Sequence, residues 1–139
     1  MTTGPAHSQS ASLSAVEWLH EGRLAIIQGG DSSKEGVDAW ADATLDVLKN
    51  WDKSKTYLVL HDITSGSLTP YSRQRSMEFR DYTKYLKGRY AMLVASGLHG
   101  NIISFFVNQT FRRADQSEVE GRCFTNRKEA MAWLEELLT

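Results

Sequence analysis

The stretch Tyr57-Leu58-Val59-Leu60-His61-Asp62 decides the fold of this 139-residue chain. Its apolar residues run without interruption into a polar pair, and a turn rich in Thr, Ser, Gly and Pro follows from Ile63 to Pro70. An apolar run of this length is typical of a strand that is buried on both faces. Because helical patterns flank it on both sides, the sequence predicts a βαβ unit and a sheet that is at least partly parallel.

Size and composition indicate one globular domain with its own core. Hydrophobic residues make up 41% of the chain and charged residues 24%, which is close to the globular average. The net charge of −1 disfavours a nucleic-acid partner, although local basic patches remain compatible with it. The single Cys123 cannot form an intramolecular disulfide, and no Cys/His cluster has the spacing of a zinc site.

The amino terminus and the hydropathy pattern predict an intracellular protein. Residues 1–13 are small and polar, without the charged and then apolar order of a signal peptide, and we expect a disordered tail there. No apolar run approaches the roughly 20 residues that a membrane helix requires. We therefore expect a cytoplasmic protein without a transmembrane segment, whose domain spans residues 14–139.

Two strands and a helix precede the central strand. The runs Ala15–Leu19 and Leu24–Gln28 are separated by His20–Arg23, which is the spacing of a β-hairpin. Gly29–Gly36 is predicted as a loop. From Val37 to Trp51 the apolar residues form one stripe along a helix.

The chain after the central strand repeats the alternation of helix and strand. Thr69 and Pro70 predict a helix start, with Thr69 as the cap. The helix, with little apolar surface, is predicted from Tyr71 to Lys87 and ends at Gly88. Tyr90–Ser96 is predicted as a second buried strand.

The carboxy-terminal part completes the predicted order. Ile102–Phe111 is dense in apolar residues and predicts a mostly buried helix, and a polar connection follows from Arg112 to Glu120. Arg122–Thr125 is predicted as a short strand, and Asn126 with Glu129 forms the capping box of a last helix. The order β-β-α-β-α-β-α-β-α predicts an α/β single domain with a mixed five-stranded sheet and four helices.

The stretches Phe124–Leu134, Leu58–Asp62 and Gly88–Val94 together resemble the SpoIIAA-like family of the STAS domain fold. The segment Phe124–Leu134, FTNRKEAMAWL, is similar to the ending of that family, where a short strand with Phe meets a helix carrying Glu-Ala-x-x-Trp-Leu. Leu58–Asp62 with its Ser/Thr-rich turn is similar to the central strand, and Gly88–Val94 to the next strand. The resemblance spans residues 15–138 in element order and implies a bacterial, cytoplasmic, non-enzymatic module.

The resemblance also implies a site of regulation. In anti-sigma antagonist members of the STAS group, a partner kinase phosphorylates a serine at the start of the helix after the central strand, usually within Asp-Ser-Ser-Gly or Asp-Ser-x-Gly. This chain has Asp62 but no Asp-Ser pair, so the role is not carried over to a particular residue. Thr69 and Ser67 lie closest to the helix start and are the candidate phosphosites.

The turn after the central strand is the first candidate binding site, because ligands of open parallel sheets bind beyond the carboxyl ends of the strands. Free N–H groups and the helix dipole favour an anion at such a helix start. Arg73 and Arg75 follow one turn later and can pair with a phosphoryl group. The alternative is an ordinary helix cap and turn. The candidate residues of this turn and helix are Asp62, Ser65, Ser67, Thr69, Arg73 and Arg75.

A second loop is expected beside the first. Ser96 and His99 follow the next predicted strand, so they adjoin the first turn if the two strands are neighbours. Gly97 and Gly100 in this loop permit close approach of a backbone or a ligand.

His61 and Asp62 are also candidates for acid–base chemistry, because a carboxylate near a His orients the imidazole and raises its pKa. Adjacent residues of a strand point to opposite faces, which favours a structural role in which Asp62 accepts from turn amides. Neither the Gly-x-Ser-x-Gly pattern of serine hydrolases nor a phosphate-binding loop occurs in the sequence.

The helix after the central strand offers an aromatic and basic surface. Tyr and Arg are enriched at interface hot spots, so the surface predicts a partner or dimer interface, and the alternative is that the rings cover the sheet. Its residues are Tyr71, Phe79, Tyr82, Tyr85, Arg73, Arg75 and Arg80.

Together these features predict a non-enzymatic module without cofactor or metal. We expect it to bind a protein partner, or a small anionic or apolar ligand, on the surface formed by residues 62–75 and 96–101. The alternatives are a small enzyme that uses His61, Asp62 or His99, and a homodimerisation domain.

Overall fold

Five strands form one sheet in the computed structural model, which describes residues 15–66, 69–97 and 118–138. They are β1 (Ala15–Leu19), β2 (Leu24–Gln28), β3 (Tyr57–Asp62), β4 (Lys87–Leu93) and β5 (Glu118–Phe124). Their order in the sheet is their order in the chain. The hairpin of β1 and β2 is antiparallel, and the pairs β2–β3, β3–β4 and β4–β5 are parallel. The prediction that β3 lies in the middle of a mixed sheet is confirmed.

Helices cover both faces of this sheet. They are α1 (Lys34–Asn50), α2 (Pro70–Ser76), α3 (Arg80–Thr83) and α4 (Arg127–Glu135), with short 3₁₀ turns at Met77–Phe79 and Glu136–Leu138. The first three pack on one face and α4 packs on the other. Two layers of helices around a sheet define an α/β domain, as predicted.

The two faces have different side chains, because residues alternate along each strand. The face toward α1 carries aromatic residues, including Tyr57 and Tyr90 of the sheet and Trp40 and Phe79 of the helical layer. We call it the aromatic face. The face toward α4, which we call the aliphatic face, is built mainly from Leu24, Ile26, Leu58, Leu60, Ala91, Leu93, Ala130, Trp133 and Leu134.

The prediction of one continuous helix from Tyr71 to Lys87 is wrong, because the helix is interrupted and ends earlier. The structure breaks it into α2, a 3₁₀ turn and α3, which ends at Thr83. Gly88 does not end the helix but lies in β4, opposite Tyr57. Its φ is +153°, and a Cβ there would lie 1.9 Å from the carbonyl oxygen of Tyr57, so the register of β4 against β3 requires glycine.

Three other predicted boundaries also shift. Helix α1 begins at Lys34, inside the predicted loop, because the Ser33 side chain accepts a hydrogen bond from the Gly36 amide. Strand β4 runs from Lys87 to Leu93 rather than from Tyr90 to Ser96. Strand β5 begins at Glu118, within the predicted polar connection. An edge strand tolerates such polar residues, and Glu118 and Glu120 face Lys87 and Arg89.

Two predicted segments, the amino-terminal tail (1–13) and the buried helix (102–111), lie outside the described residues.

Candidate functional site

The carboxyl ends of the parallel strands form one edge of the sheet, where the loops 29–33, 63–66 and 94–97 lie side by side. We call these loops the carboxyl rim. Backbone hydrogen bonds between neighbouring strands continue just past the strand ends: the Gly29 amide donates to the Asp62 carbonyl (2.8 Å), and the Ile63 amide donates to the Leu93 carbonyl (2.9 Å). The expectation that the loop with Ser96 adjoins the turn after β3 therefore agrees with the strand order.

Asp62 shapes the rim from the end of β3. Its Oδ1 accepts from the Thr64 amide (3.1 Å) and the Thr64 hydroxyl (2.7 Å), and its Oδ2 accepts from Arg127 Nη1 of α4 (3.2 Å). The predicted bonding of Asp62 to a turn amide is confirmed. The carboxylate is 11% exposed, so both of its oxygens serve the turn and the contact with α4.

Glycines bring two rim loops into contact and leave a crevice between them. A Cβ at Gly66 would lie 3.1 Å from the Gly30 carbonyl oxygen and 3.3 Å from Ser32 Oγ. The crevice is lined by residues of both loops, among them Gly30, Asp31 and Ile63. The pKa of Asp31 is lowered by hydrogen bonds from the Ser33 hydroxyl and amide, so the crevice carries a negative charge at neutral pH.

Thr69 caps α2, as the sequence predicts. Its hydroxyl accepts from the Ser72 amide (3.0 Å), and its own amide donates to Ser72 Oγ (2.8 Å), which completes a reciprocal cap with Pro70 in the first turn. The candidate phosphosite Thr69 is therefore also a structural residue. The other candidate, Ser67, lies outside the described residues.

The two arginines predicted to assist an anion occupy different surroundings. Arg73 is exposed on α2. Arg75 is held against α1, with hydrogen bonds to Asp38 (2.6 Å) and Asp42 (2.9 Å), and also to Glu78 (2.7 Å). The pKa of Asp38 is lowered to about 2, first by the Tyr71 hydroxyl and then by Lys34. Arg75 thus joins two helices instead of facing the rim.

The other predicted site residues are divided between the rim and the undescribed part. Ser65 and Ser96 are exposed on adjacent rim loops. His99, with Gly100 and Asn101, lies outside the described residues.

The aromatic and basic surface predicted on one helix is not one continuous face. Phe79 is buried against Trp40, with ring centroids 5.4 Å apart, and Tyr71 donates to Asp38. Tyr85 is 63% exposed, beyond the end of α3. The break at the 3₁₀ turn separates these rings, so they do not line up as continuous helical periodicity would place them.

His61 lies on the opposite side of β3 from Asp62, so the two side chains do not meet. Its Nδ1 accepts from the Trp40 indole N–H at 3.1 Å, and burial lowers the pKa of His61 to about 3. The imidazole is therefore neutral at physiological pH. This geometry does not form the His–Asp acid–base pair that the enzyme alternative requires.

The sequence did not reveal a pocket on the aromatic face, beside His61. Residues of β3, β4, β5, α1 and α3 line it, among them Trp40, Tyr57, Tyr90 and Arg80. We call it the interior pocket. The signals present in the sequence were a polar His61 inside a buried strand and a helical stripe that contains Trp40 and Thr44. Periodicity alone does not show that these residues face one another across a gap.

Comparison with known proteins identifies the fold. A crystal structure of an uncharacterised protein of the DUF3478 family from Shewanella loihica PV-4, described as having a SpoIIAA-like fold, matches with a TM-score of 0.54 and 16% sequence identity. The match covers 87% of this chain and 91% of that chain. No family model and no curated protein matches the sequence. The fold is thus SpoIIAA-like, as the sequence resemblance implied.

The described residues contain neither a membrane-spanning helix nor a metal-binding cluster. None of the helices there has the combination of length and apolar character needed to cross a bilayer. No three His, Cys, Asp or Glu side chains in the same ranges lie together as ligands for a metal ion.

Proposed function

We propose that this chain is a non-enzymatic, SpoIIAA-like binding module whose carboxyl rim contacts a protein partner in the cytoplasm. The observation that carries the proposal is the difference in role between the side chains that fix the rim loops and those that are exposed on them. The side chains of Asp62 and of the exposed Asp31 accept hydrogen bonds that hold the loops in place, whereas the other exposed groups include neutral hydroxyls such as Ser65 and Ser96. Such a surface suits recognition by shape and hydrogen bonding.

The structural roles of the ionisable groups argue against acid–base chemistry at the rim. Asp62 already accepts from Thr64 and Arg127, and Arg75 is bound by carboxylates of α1. A general base must reach a substrate proton, whereas the Asp62 carboxylate is 11% exposed and both of its oxygens are engaged within the protein. The buried, neutral His61 faces away from the rim.

The shape and charge of the rim favour a protein partner over a small anion. The crevice is lined by glycines and apolar side chains, and the ionised Asp31 would repel an anion placed there. Thr64, Ser65 and Ser96 are exposed on the loops of the rim. Exposed hydroxyls around a small depression resemble the polar rim of a protein interface.

The proposal is tested by crosslinking in the host cell. We compare the wild type with a Ser65→Arg/Ser96→Arg variant and with Asn50→Arg, an exposed control at the other edge of the sheet. We expect a partner whose crosslinks map to the rim, and roughly a tenfold or greater loss of it in the double variant, as for a clash at an interface centre. The control should retain the partner.

Two results would count against this function. One is a partner that the double variant retains at the wild-type level, because the rim would then not be the interface. The other is an absence of rim crosslinks in the wild type. Phosphopeptides from the same samples test whether Thr69 or Ser67 carries a phosphoryl group, which would add regulation to the same surface.

A further inference from the structure

We propose that the interior pocket is a second binding site, next to the rim crevice, and that it takes a small aromatic carboxylic acid. The pocket lies between the sheet and the helices of the aromatic face. Its lining combines ring walls with a few polar groups that point to one kind of ligand. This inference does not depend on the function proposed for the rim.

His61 supplies a directed hydrogen-bond donor to this pocket. An indole N–H can only donate, so the bond from Trp40 fixes His61 Nδ1 as the acceptor and leaves the proton on Nε2. His61 is 4% exposed and lines the pocket, so this N–H can donate to an acceptor atom of a ligand there.

Aromatic side chains form the walls around this donor. The Trp40 ring meets the His61 and Phe79 rings edge to face, at centroid distances of 5.7 and 5.4 Å. Tyr90 meets His61 in the same way at 6.1 Å, and its ring lies over Gly121 of β5, where a Cβ would come within 2.1 Å. Edge-to-face contacts are the preferred arrangement for a further aromatic ring.

The size of the pocket admits a molecule larger than water. About 50 Å³ is open to the centres of water-sized molecules, which is several times the roughly 10–15 Å³ that one water requires. An apolar cavity of roughly 150 Å³ takes up benzene, so a single-ring ligand would extend from this smaller space through its partly exposed side.

The charge of the lining selects an acid among such molecules. Arg80 contributes a guanidinium, and none of the described lining residues is Asp or Glu. A guanidinium has five N–H donors, so it can bind a ligand carboxylate in addition to its contacts within the protein. The carboxylate would lie near Arg80 at the partly exposed side of the pocket, within reach of the neutral polar groups further inside.

The experiment titrates the full chain with benzoate, and with benzyl alcohol as a neutral probe of similar size. Two-dimensional NMR follows the Trp40 indole N–H, and a long-range ¹H–¹⁵N spectrum follows the two nitrogens of His61. We expect both residues to shift with benzoate and Nε2 to remain protonated. The affinity for benzyl alcohol should be at least roughly tenfold lower than for benzoate, because benzyl alcohol lacks the charge-assisted bond.

Matched variants distinguish binding in this pocket from binding elsewhere on the protein. Arg80→Met keeps an apolar stem and should weaken benzoate roughly tenfold. The exposed Arg73→Met should leave it unchanged, and so should the Ser65→Arg/Ser96→Arg variant of the rim. Absence of shifts at Trp40 and His61, equal affinity for both probes, or equal losses in the two Met variants would overturn the assignment.

Discussion

The two faces of the sheet bury the side chains of the same strand in different surroundings. On β3, Leu58 and Leu60 enter the aliphatic face, where they pack against α4 with less than 2% exposure. Tyr57 and His61 enter the aromatic face, where they border the interior pocket. The aliphatic face is a close-packed core, whereas the aromatic face combines burial with open space and polar groups. The two sides of one strand thus differ in packing, since the pocket lies on the aromatic side only.

The first prediction tests this difference between the faces by truncating one buried side chain of similar volume on each face. Leu60→Ala leaves a new cavity in a packed region, and we expect a loss of about 4 kcal/mol in the free energy of unfolding. Met92→Ala, which enlarges an existing pocket, should cost about 2 kcal/mol, since Met92 already has fewer atoms around it to lose. Urea denaturation at pH 7 measures both values.

Equal losses in these two variants would contradict the division between the faces. A Leu60→Val variant serves as the control for complete unfolding, because it removes less volume at the same position. Its loss should be well below that of Leu60→Ala.

The second prediction uses the pKa of His61 on the aromatic face. Its folded pKa of about 3 lies below the unfolded value of 6.5, so below pH 6.5 the unfolded chain binds a proton that the folded chain does not. Stability from the neutral imidazole is complete above pH 6.5 and is lost as the pH falls toward 3. Between pH 6.5 and 5 the loss should reach about 2 kcal/mol.

A His61→Gln variant should remove most of this pH dependence, because Gln can accept from Trp40 but does not titrate. The other charged or titratable groups of the pocket are Tyr57, Tyr90 and Arg80, and burial raises the pKa of both tyrosines. The exposed His20→Gln is the matched control. If both variants kept the wild-type slope between pH 6.5 and 5, His61 would not be buried as a neutral group.

The sequence predicted the aliphatic face and the sheet better than the aromatic face. Uninterrupted apolar runs identified β2, β3 and most of β4, and the capping pair at Asn126 identified α4. These features depend on local pattern. The break between α2 and α3 was not predicted, because it depends on Phe79 turning inward to contact Trp40, which is distant in sequence.

The candidate site shows the same limit. Asp62 and Thr69 were placed correctly, since a strand end and a helix cap are local signals. The bonds of Arg75 to Asp38 and Asp42, and of Asp62 to Arg127, span 33 to 65 positions of the sequence. Single-sequence patterns contain no information about such distant partners. The pairing of Trp40 with His61 across 21 positions is of the same kind.

The third prediction compares the helix caps on the two faces. Thr69 accepts from the Ser72 amide at the start of α2, and Asn126 accepts from the Glu129 amide at the start of α4. Replacing either with Ala should cost about 1 kcal/mol, because each change leaves one helix N–H without its acceptor. Thermal or urea unfolding measures the two losses side by side.

These two values sharpen the comparison because capping is local and packing is not. Similar losses would show that the faces differ in packing and not in the intrinsic stability of their helix starts. A loss at Thr69 several times that at Asn126 would contradict this, and would mean that the short α2 depends on its cap to keep the aromatic face closed.

The smallest expected effect is at the contact between the rim and α4, which joins Asp62 to the aliphatic face. Arg127 is 48% exposed, so its bond to Asp62 is screened by solvent, and Arg127→Gln should lower stability by less than about 1 kcal/mol. The change also removes a positive charge from the first turn of α4, and the helix dipole favours this removal by a few tenths of a kcal/mol. Lys128→Gln, one position later, shares this dipole effect without the Asp62 contact. The difference between the two variants in urea denaturation therefore isolates the Arg127–Asp62 contact, and a difference above about 2 kcal/mol would show that α4 fixes the rim.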